Sequence, residues 1–428
     1  MGIITNARLV SADLLVRVLE DRRSLDQALH DSPLIDGLDG RDRAFARAIA
    51  SAALRHLGRI DAVLAGFLQK PLAHDAVDAR ALLRGGAAQL LVMGLPAHAA
   101  VSETVEIAGA HRSTRGFAKL MNAVLRKTAS EGPARFAALP MLANLPDWLG
   151  ARWAGAYGPG RAEAMATAIA QEAQIDLTPR QDAQALAQTV GGEIVLGASV
   201  RLPPGSAPIQ ALPGFAEGAF WVQDAASALP ARLVRAKAGQ SVIDLCAAPG
   251  GKALQLARAG LQVTALDAAP DRLQRLRENQ ERVGLAIALV QANALDWHPA
   301  ELADAVLLDA PCSATGTLRR HPEAAWLRGP QHIPRFAEGQ RALLAAASAM
   351  LKPGGCLVYA VCSQEPEEGE AILSDAAALG LAPDPILAEE IGGLTAANLP
   401  SGAVRTSPEL LADAGGLDGF FIARWRKS

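Results

Sequence analysis

Cysteine is scarce in this chain: four residues among 428, at Cys246, Cys312, Cys356 and Cys362. None are paired at zinc-ligand spacing and no half-cystine framework is present, so neither a metal site nor structural disulfides are expected, and a reducing compartment is. Long apolar runs are also missing, none approaching the roughly 18 residues of a membrane span. The stretch Met1 to Arg8 lacks the basic start and apolar core of a secretory leader, so a cytoplasmic protein without membrane contact is expected. No large excess of one charge occurs. The net charge is −3, with 17 Lys and Arg against 13 Asp and Glu in residues 1–130, which permits phosphate contacts from that part without requiring them. The dinucleotide fingerprint G-x-G-x-x-G and the phosphate loop G-x-x-x-x-G-K-[ST] are absent, which weighs against a nucleotide-dependent oxidoreductase and against ATP binding. Internal repeats and low-complexity tracts are absent as well.

What is present is a folded composition, 50% apolar and 20% charged, in a chain long enough for two or three domains. From Leu9 to about Lys127 apolar residues recur at three- and four-residue spacing, as in Leu9, Leu14, Leu15, Val18 and Leu19, which predicts an all-α bundle over 1–130. Breaks are expected at Asp39 to Asp42, at Gly94-Leu95-Pro96, at Gly132-Pro133 and at Asn144 to Trp148, with a further helix near 160–172. A connector is expected over 131–210, holding strand candidates at 175–177 and 193–196, a helix near 182–190, and the turn-rich Leu202 to Pro208. From 211 to 428 short apolar runs alternate with amphipathic helices. Strands are predicted at 241–246, 262–266, 286–290, 304–309 and 356–361, and helices near 251–259, 270–283, 334–351 and 366–378. That alternation predicts an α/β, doubly wound parallel sheet.

Ser241 to Leu245 followed by Cys246-Ala247-Ala248-Pro249-Gly250-Gly251-Lys252 reads as a strand, a tight glycine turn and a helix start. Small residues there let a ligand approach the backbone, and the helix start offers unpaired amides to a carboxylate. The next strand ends in Asp267, placed to accept hydrogen bonds from ribose hydroxyls. Asn293 and Asp309 follow the next two strands, completing a row of polar strand-end positions. A nucleoside with a free ribose and an amino-acid tail fits that row, and S-adenosylmethionine has those parts.

Two further strand ends carry cysteine: Asp309-Ala310-Pro311-Cys312-Ser313-Ala314-Thr315-Gly316 and Tyr359-Ala360-Val361-Cys362-Ser363. Side chains just past the carboxyl ends of parallel strands face the ligand crevice, so both sulfurs are expected in one site. Cys246 and Cys356 read as packing residues.

These motifs resemble the Sun-type (Fmu) family of RNA cytosine-5 methyltransferases, in its branch acting on bacterial small-subunit ribosomal RNA. The resemblance extends to the N-terminal part, where Leu95 to Glu106 and Asn122 to Arg126 are similar to a NusB-like RNA-binding domain. It implies a Rossmann-like methyltransferase domain over 211–428 and ribosomal RNA as substrate. It also implies an S-adenosylmethionine site lined by Cys246, Ala247, Ala248, Pro249, Gly250, Gly251, Lys252, Asp267, Asn293 and Asp309. Cys362 is implied as nucleophile, and Cys312 as the group assisting release of a covalent adduct. Two positions depart from the family pattern: Val361 stands where Thr is common, and Asn293 where an acid is frequent.

The chemistry suits those residue types. A thiolate adding to carbon 6 of cytosine makes carbon 5 enamine-like, with Lys252 or local amides favouring the thiolate. Asp309 is expected to share a proton with the ring as charge develops. The target cytosine must be single-stranded or flipped. Arg319, Arg320 and His321 are candidates for phosphate contact, with Arg112, Arg115, Lys119, Arg126 and Lys127 on the helical part. Trp326 and Phe336 are candidates for base stacking, with core packing as the alternative. The competing reading is a noncatalytic RNA-binding assembly factor, which would have no need of two crevice thiols.

Overall fold

Periodicity at 3.6 residues in the first part of the chain and at 2 in the last separates the molecule into two units, seen in a computed structural model that describes residues 6–428. Residues 1–5, on which part of the leader reading rests, lie outside the described residues. Among the described residues no helix is long and apolar enough to cross a membrane.

The first unit runs to Glu172 and includes Leu318–Pro330; the second holds Ala173–Thr317 and Gln331–Ser428. The expected connector at 131–210 is therefore shared, with 131–172 in the first unit and 173–210 in the second.

Helices Ala7–Leu19, Gly40–Arg55, Val77–Leu91, Ala97–Ala110 and Ala118–Ala138 build the first unit around Leu14, Leu15, Val18, Leu54, Leu83 and Leu125. Asp39 makes its predicted break by capping: its carboxylate accepts from the Asp42 amide at 2.8 Å. Gly132-Pro133 makes no break. The helix continues to Ala138, with Gly132 packed so tightly that a Cβ there would lie 3.0 Å from Leu91 Cδ2. Burial of that face outweighs the lost backbone hydrogen bond at Pro133.

The inserted Leu318–Pro330 follows the Cys312 loop in sequence and folds into the helical unit. Arg55 donates to the Arg319 carbonyl at 2.6 Å, Arg22 to the Trp326 carbonyl at 2.7 Å, and the Leu25 amide to Glu323 at 3.3 Å.

The second unit opens with a small antiparallel sheet of β1 (Asp176–Pro179), β2 (Glu193–Val195), β3 (Ser199–Arg201) and β4 (Phe220–Val222), in the order β2-β3-β1-β4. The main sheet contains β5 (Ser241–Leu245), β6 (Gln262–Asp267), β7 (Ala288–Gln291), β8 (Ala303–Asp309), β9 (Leu351–Val361), β10 (Leu381–Pro383), β11 (Val404–Arg405) and β12 (Phe421–Lys427). Its order is β10-β12-β9-β8-β5-β6-β7, with β11 beside β12. Successive residues of β5 alternate between two cores. Val242 packs with Leu254 and Leu276, whereas Ile243 and Leu245 pack with Leu344 and Leu308. A sheet buried on both faces is the result.

The predicted parallel pairing holds from β7 to β9, but β12 lies antiparallel to β9, with Phe421 opposite Val361. The predicted helix over 366–378 is likewise shorter: Glu370–Ile372 is a 3-10 turn and the α-helix spans Leu373–Ala378. Pro366 and Gly369 belong to a preceding turn, in which Glu368 is buried. The chain leaves β5 toward β6 on one side and returns to β8 on the other. That reversal opens a crevice at the carboxyl ends of β5 and β8.

Candidate active site

The turn after β5 is shaped by conformations that few residues tolerate. Cys246 has φ +60° and Gly250 φ +108°, and a Cβ at Gly250 would lie 2.6 Å from Leu276 Cγ. Glycine is thus required there both by backbone and by space. The Ala247 amide bonds to the Leu266 carbonyl at 3.0 Å, tying the turn to β6.

Asp267, at the end of β6, is only 4% exposed. Its carboxylate accepts from the amides of Ala248 at 3.2 Å and Ala269 at 3.0 Å, and Arg272 lies 3.2 Å away. Arg272 also donates to the Ala248 carbonyl. Asp267 therefore holds the turn in shape as well as standing at a strand end, a double use the sequence did not reveal. Arg272 escaped notice because one arginine in an amphipathic helix carries no pattern. Asn293 is exposed; it accepts from the Leu295 amide at 3.2 Å and donates to Asp296 at 2.8 Å. Its neighbour Ala292 donates to the Asp267 carbonyl at 3.2 Å, which brings the two strand ends together.

Between β5 and β8 lies an acid-rich centre. Lys252 Nζ is 2.7 Å from Asp309 Oδ2 and 3.3 Å from Ser227 Oγ, over the Phe420 ring. Burial pushes the Lys252 pKa down, but Asp309, Cys362 and Asp244 pull it further up, so the net direction is upward and the ammonium is kept. Asp244 is fully buried and, among the described residues, neither carboxyl oxygen has a hydrogen-bond partner. Burial raises its pKa strongly, as do the charges of Asp309 and Asp267. An orphaned carboxyl beside two further acids suits a ligand bearing positive charge and hydroxyls. S-adenosylmethionine has a sulfonium, an ammonium and a ribose diol, so the residues present fit it. The Cys246–Lys252 turn, Asp267 and Asp309 would hold it, with Asp244 as an addition that sequence reasoning missed.

The two cysteine loops meet beside this centre. Cys312 Sγ is 3.4 Å from Cys362 Sγ, and both residues are half-buried. Strand pairing places them: the Ala310 amide bonds to the Ala360 carbonyl at 2.9 Å, and the Gly316 amide to the Cys362 carbonyl at 3.0 Å. A Cβ at Gly316 would lie 1.9 Å from the Gly419 carbonyl oxygen, so only glycine lets the loops approach this closely. The Cys312 pKa is raised well above its ordinary value by its hydrogen bond with Cys362, then by burial, then by the charges of Cys362 and Glu368. Either sulfur can serve as the donor in this contact. Cys246, pushed up to about 12 by burial and three acids, stays protonated, and Cys356 is buried in β9, as packing residues do.

In the helical unit Arg112, Arg115, Lys119, Arg126 and Lys127 are all exposed. Arg319 is not available for the expected phosphate contact: it is 1% exposed, because the segment carrying it folds into the helical core. Trp326 packs with Leu149, Trp153 and Leu318 and donates to the Leu54 carbonyl at 3.3 Å, which is a core role.

Comparison with known proteins gives concordant matches. Residues 231–426 match the family described as 16S rRNA methyltransferase RsmB/F, and residues 5–130 match the NusB family. The chain is 36% identical to the ribosomal RNA small subunit methyltransferase B of Pseudomonas putida over 439 residues, covering 98% of each protein. The Xanthomonas campestris protein of the same name is 38% identical over 375 residues, 83% of this chain and 84% of that one. Among solved structures, a methyltransferase homolog protein from Pyrococcus horikoshii superposes with a TM-score of 0.54 at 27% identity, over 65% of this chain and 94% of that one.

Proposed function

The chain belongs to the RsmB/F family of 16S rRNA methyltransferases, with S-adenosylmethionine as methyl donor, and we propose that it methylates carbon 5 of a cytosine in small-subunit ribosomal RNA through a covalent bond to Cys362. The observation that carries this reading is the 3.4 Å pair of sulfurs at the ends of adjacent parallel strands, beside an acid-lined turn.

Carbon 5 is a weak nucleophile while the ring is aromatic. Addition of the Cys362 thiolate forms a bond to carbon 6, displaces the ring electrons toward nitrogen 3 and leaves carbon 5 electron-rich. Lys252 faces that sulfur with a positive charge. The proton shared by Lys252 and Asp309 serves the ring as negative charge develops on it. S-adenosylmethionine, when bound, supplies the electrophilic methyl group.

Release needs a base for the carbon 5 proton. The hydrogen bond with Cys362, burial and the charge of Cys362 all raise the Cys312 pKa. Once Cys362 is a thioether that charge is gone, and the Cys312 proton passes to water. The Cys312 thiolate then takes the carbon 5 proton, the carbon–sulfur bond breaks with its electron pair returning to Cys362, and the proton lent to nitrogen 3 returns to the Lys252–Asp309 pair.

Attack on the ring face requires an unstacked cytosine, so the substrate is single-stranded or flipped. The exposed Arg112, Arg115, Lys119, Arg126 and Lys127 supply phosphate contacts that position the RNA, and the cytoplasm is the place of action. Incubation with S-adenosylmethionine and RNA carrying 5-fluorocytosine tests the chemistry, because fluorine at carbon 5 blocks release. Peptide mapping by mass spectrometry is expected to find the nucleotide on Cys362; attachment elsewhere, or none, rejects the assignment.

A further inference from the structure

Glu368 lies six residues beyond Cys362 in the turn before the Glu370–Ile372 helix and is fully buried. A buried carboxylate is costly unless donors surround it, and the donors here come from both cysteine loops. Oε1 accepts from the Ser313 amide at 2.9 Å and from Gln340 Nε2 at 3.2 Å. Oε2 accepts from the hydroxyls of Ser313 and Ser363, which are themselves 3.0 Å apart. Ser313 follows Cys312 and Ser363 follows Cys362. Gln340 donates in addition to the Pro311 carbonyl at 2.9 Å, on the other side of Cys312. The turn carrying Glu368 is itself anchored, since the Tyr359 hydroxyl donates to the Glu368 carbonyl at 2.7 Å.

We propose that Glu368 is a positioning residue whose carboxylate clamps the Cys312 loop to the Cys362 loop, so that the two sulfurs face a single base. The residue type follows from the geometry. Four donors converge on one side chain, and a carboxylate, which only accepts, can take all of them. An amide accepts at its oxygen only and must donate at its nitrogen, so glutamine keeps half the set. Alanine keeps none. The Glu368 pKa is raised overall, because burial outweighs the hydrogen bonds from Ser313, Ser363 and Gln340 that act in the opposite direction.

The inference rests on the proposed roles of the two cysteines, but its test separates the two ideas. Phenylarsine oxide bonds to two thiols that lie together, losing water with no change in oxidation state, whereas iodoacetamide alkylates one thiol at a time. The full-length wild-type protein is expected to take up one equivalent of the arsenical, resistant to monothiols and reversed by a dithiol. Glu368→Ala is expected to weaken that capture at least tenfold, while both cysteines still react with iodoacetamide and S-adenosylmethionine binds with unchanged affinity. Glu368→Gln is expected to restore part of the capture. With RNA, Glu368→Ala is expected to lower kcat with little change in cofactor KM and to accumulate the covalent adduct. Should Glu368→Ala not fold, the Ser313→Ala/Ser363→Ala pair removes both hydroxyl tethers with little loss of volume. Unchanged arsenical capture in the folded variant overturns the clamp. Weakened capture without any adduct, in this variant or in Cys312→Ala, supports the clamp and rejects the release role of Cys312 instead.

Discussion

Lys252 Nζ lies 2.7 Å from Asp309 Oδ2, joining the first helical turn after β5 to the end of β8. The two partners are not equally dependent on the contact, because the Lys252 side chain is 8% exposed and that of Asp309 30%. Asp309→Asn strands a buried ammonium, and a destabilisation of about 3 kcal/mol is expected, the low end for one broken buried pair. Lys252→Met leaves a carboxylate that water can reach, with an expected cost of about 1 kcal/mol. Urea unfolding of the two variants checks the order. The Lys252 pKa is raised above 10.5, so its contribution is fully present at neutral pH and is lost as pH rises past that value. The stability gap between wild type and Lys252→Met should therefore close only in alkali.

Cys312→Ala is expected to halt the reaction after methyl transfer, leaving protein on RNA through the remaining sulfur at 362. A slow-migrating band on a denaturing gel, dependent on S-adenosylmethionine and abolished by a second substitution Cys362→Ala, is the readout. A single turnover released at the wild-type rate would remove Cys312 from the release step.

For Asp267→Asn the effect is expected on cofactor affinity, since the carboxylate stands at the strand end proposed for the ribose and fixes the Ala248 amide. Loss of charged hydrogen bonds of roughly 1–3 kcal/mol corresponds to about 5- to 150-fold weaker binding by calorimetry. RNA affinity measured without cofactor should not move. Binding of S-adenosylmethionine at full strength would place the ribose elsewhere.

Acid should weaken the helical unit through His56. This residue is 8% exposed, and burial, with Arg55 and Arg59 beside it, pushes its pKa down to about 4. The unfolded chain takes up a proton near pH 6.5 and the folded one does not, so stability falls as pH drops from there toward 4. The loss should reach up to about 3 kcal/mol. His56→Phe, placing a ring of similar size beside Phe136, is expected to flatten the change in urea midpoint between pH 7 and pH 5. An equally acid-sensitive variant would clear His56 of the effect.

Strand ends were legible because a period of 2 and a following turn locate them without knowledge of their neighbours. That is why Asp267, Asp309, Cys312 and Cys362 were identifiable as crevice residues. Glu368 was not legible: its partners Ser313 and Gln340 lie 55 and 28 residues away, and its own stretch reads as the start of an amphipathic helix. The strand β12 lay outside the predicted strands altogether, and its direction is hidden for a related reason, since an apolar run has the same pattern whether its partner is parallel or antiparallel. Helix continuity through Pro133 depended on how closely Gly132 meets Leu91, which is a tertiary fact.

The amino-acid order by itself determined the two-part architecture and which residues stand at each strand end, because periodicity and turn residues act over a few positions. Only the folded chain decided that the two sulfurs meet, which carboxyl is left without a partner among the described residues and which one joins the two cysteine loops. Those properties depend on distance and on exclusion of water, and both arise when residues remote in sequence are packed together.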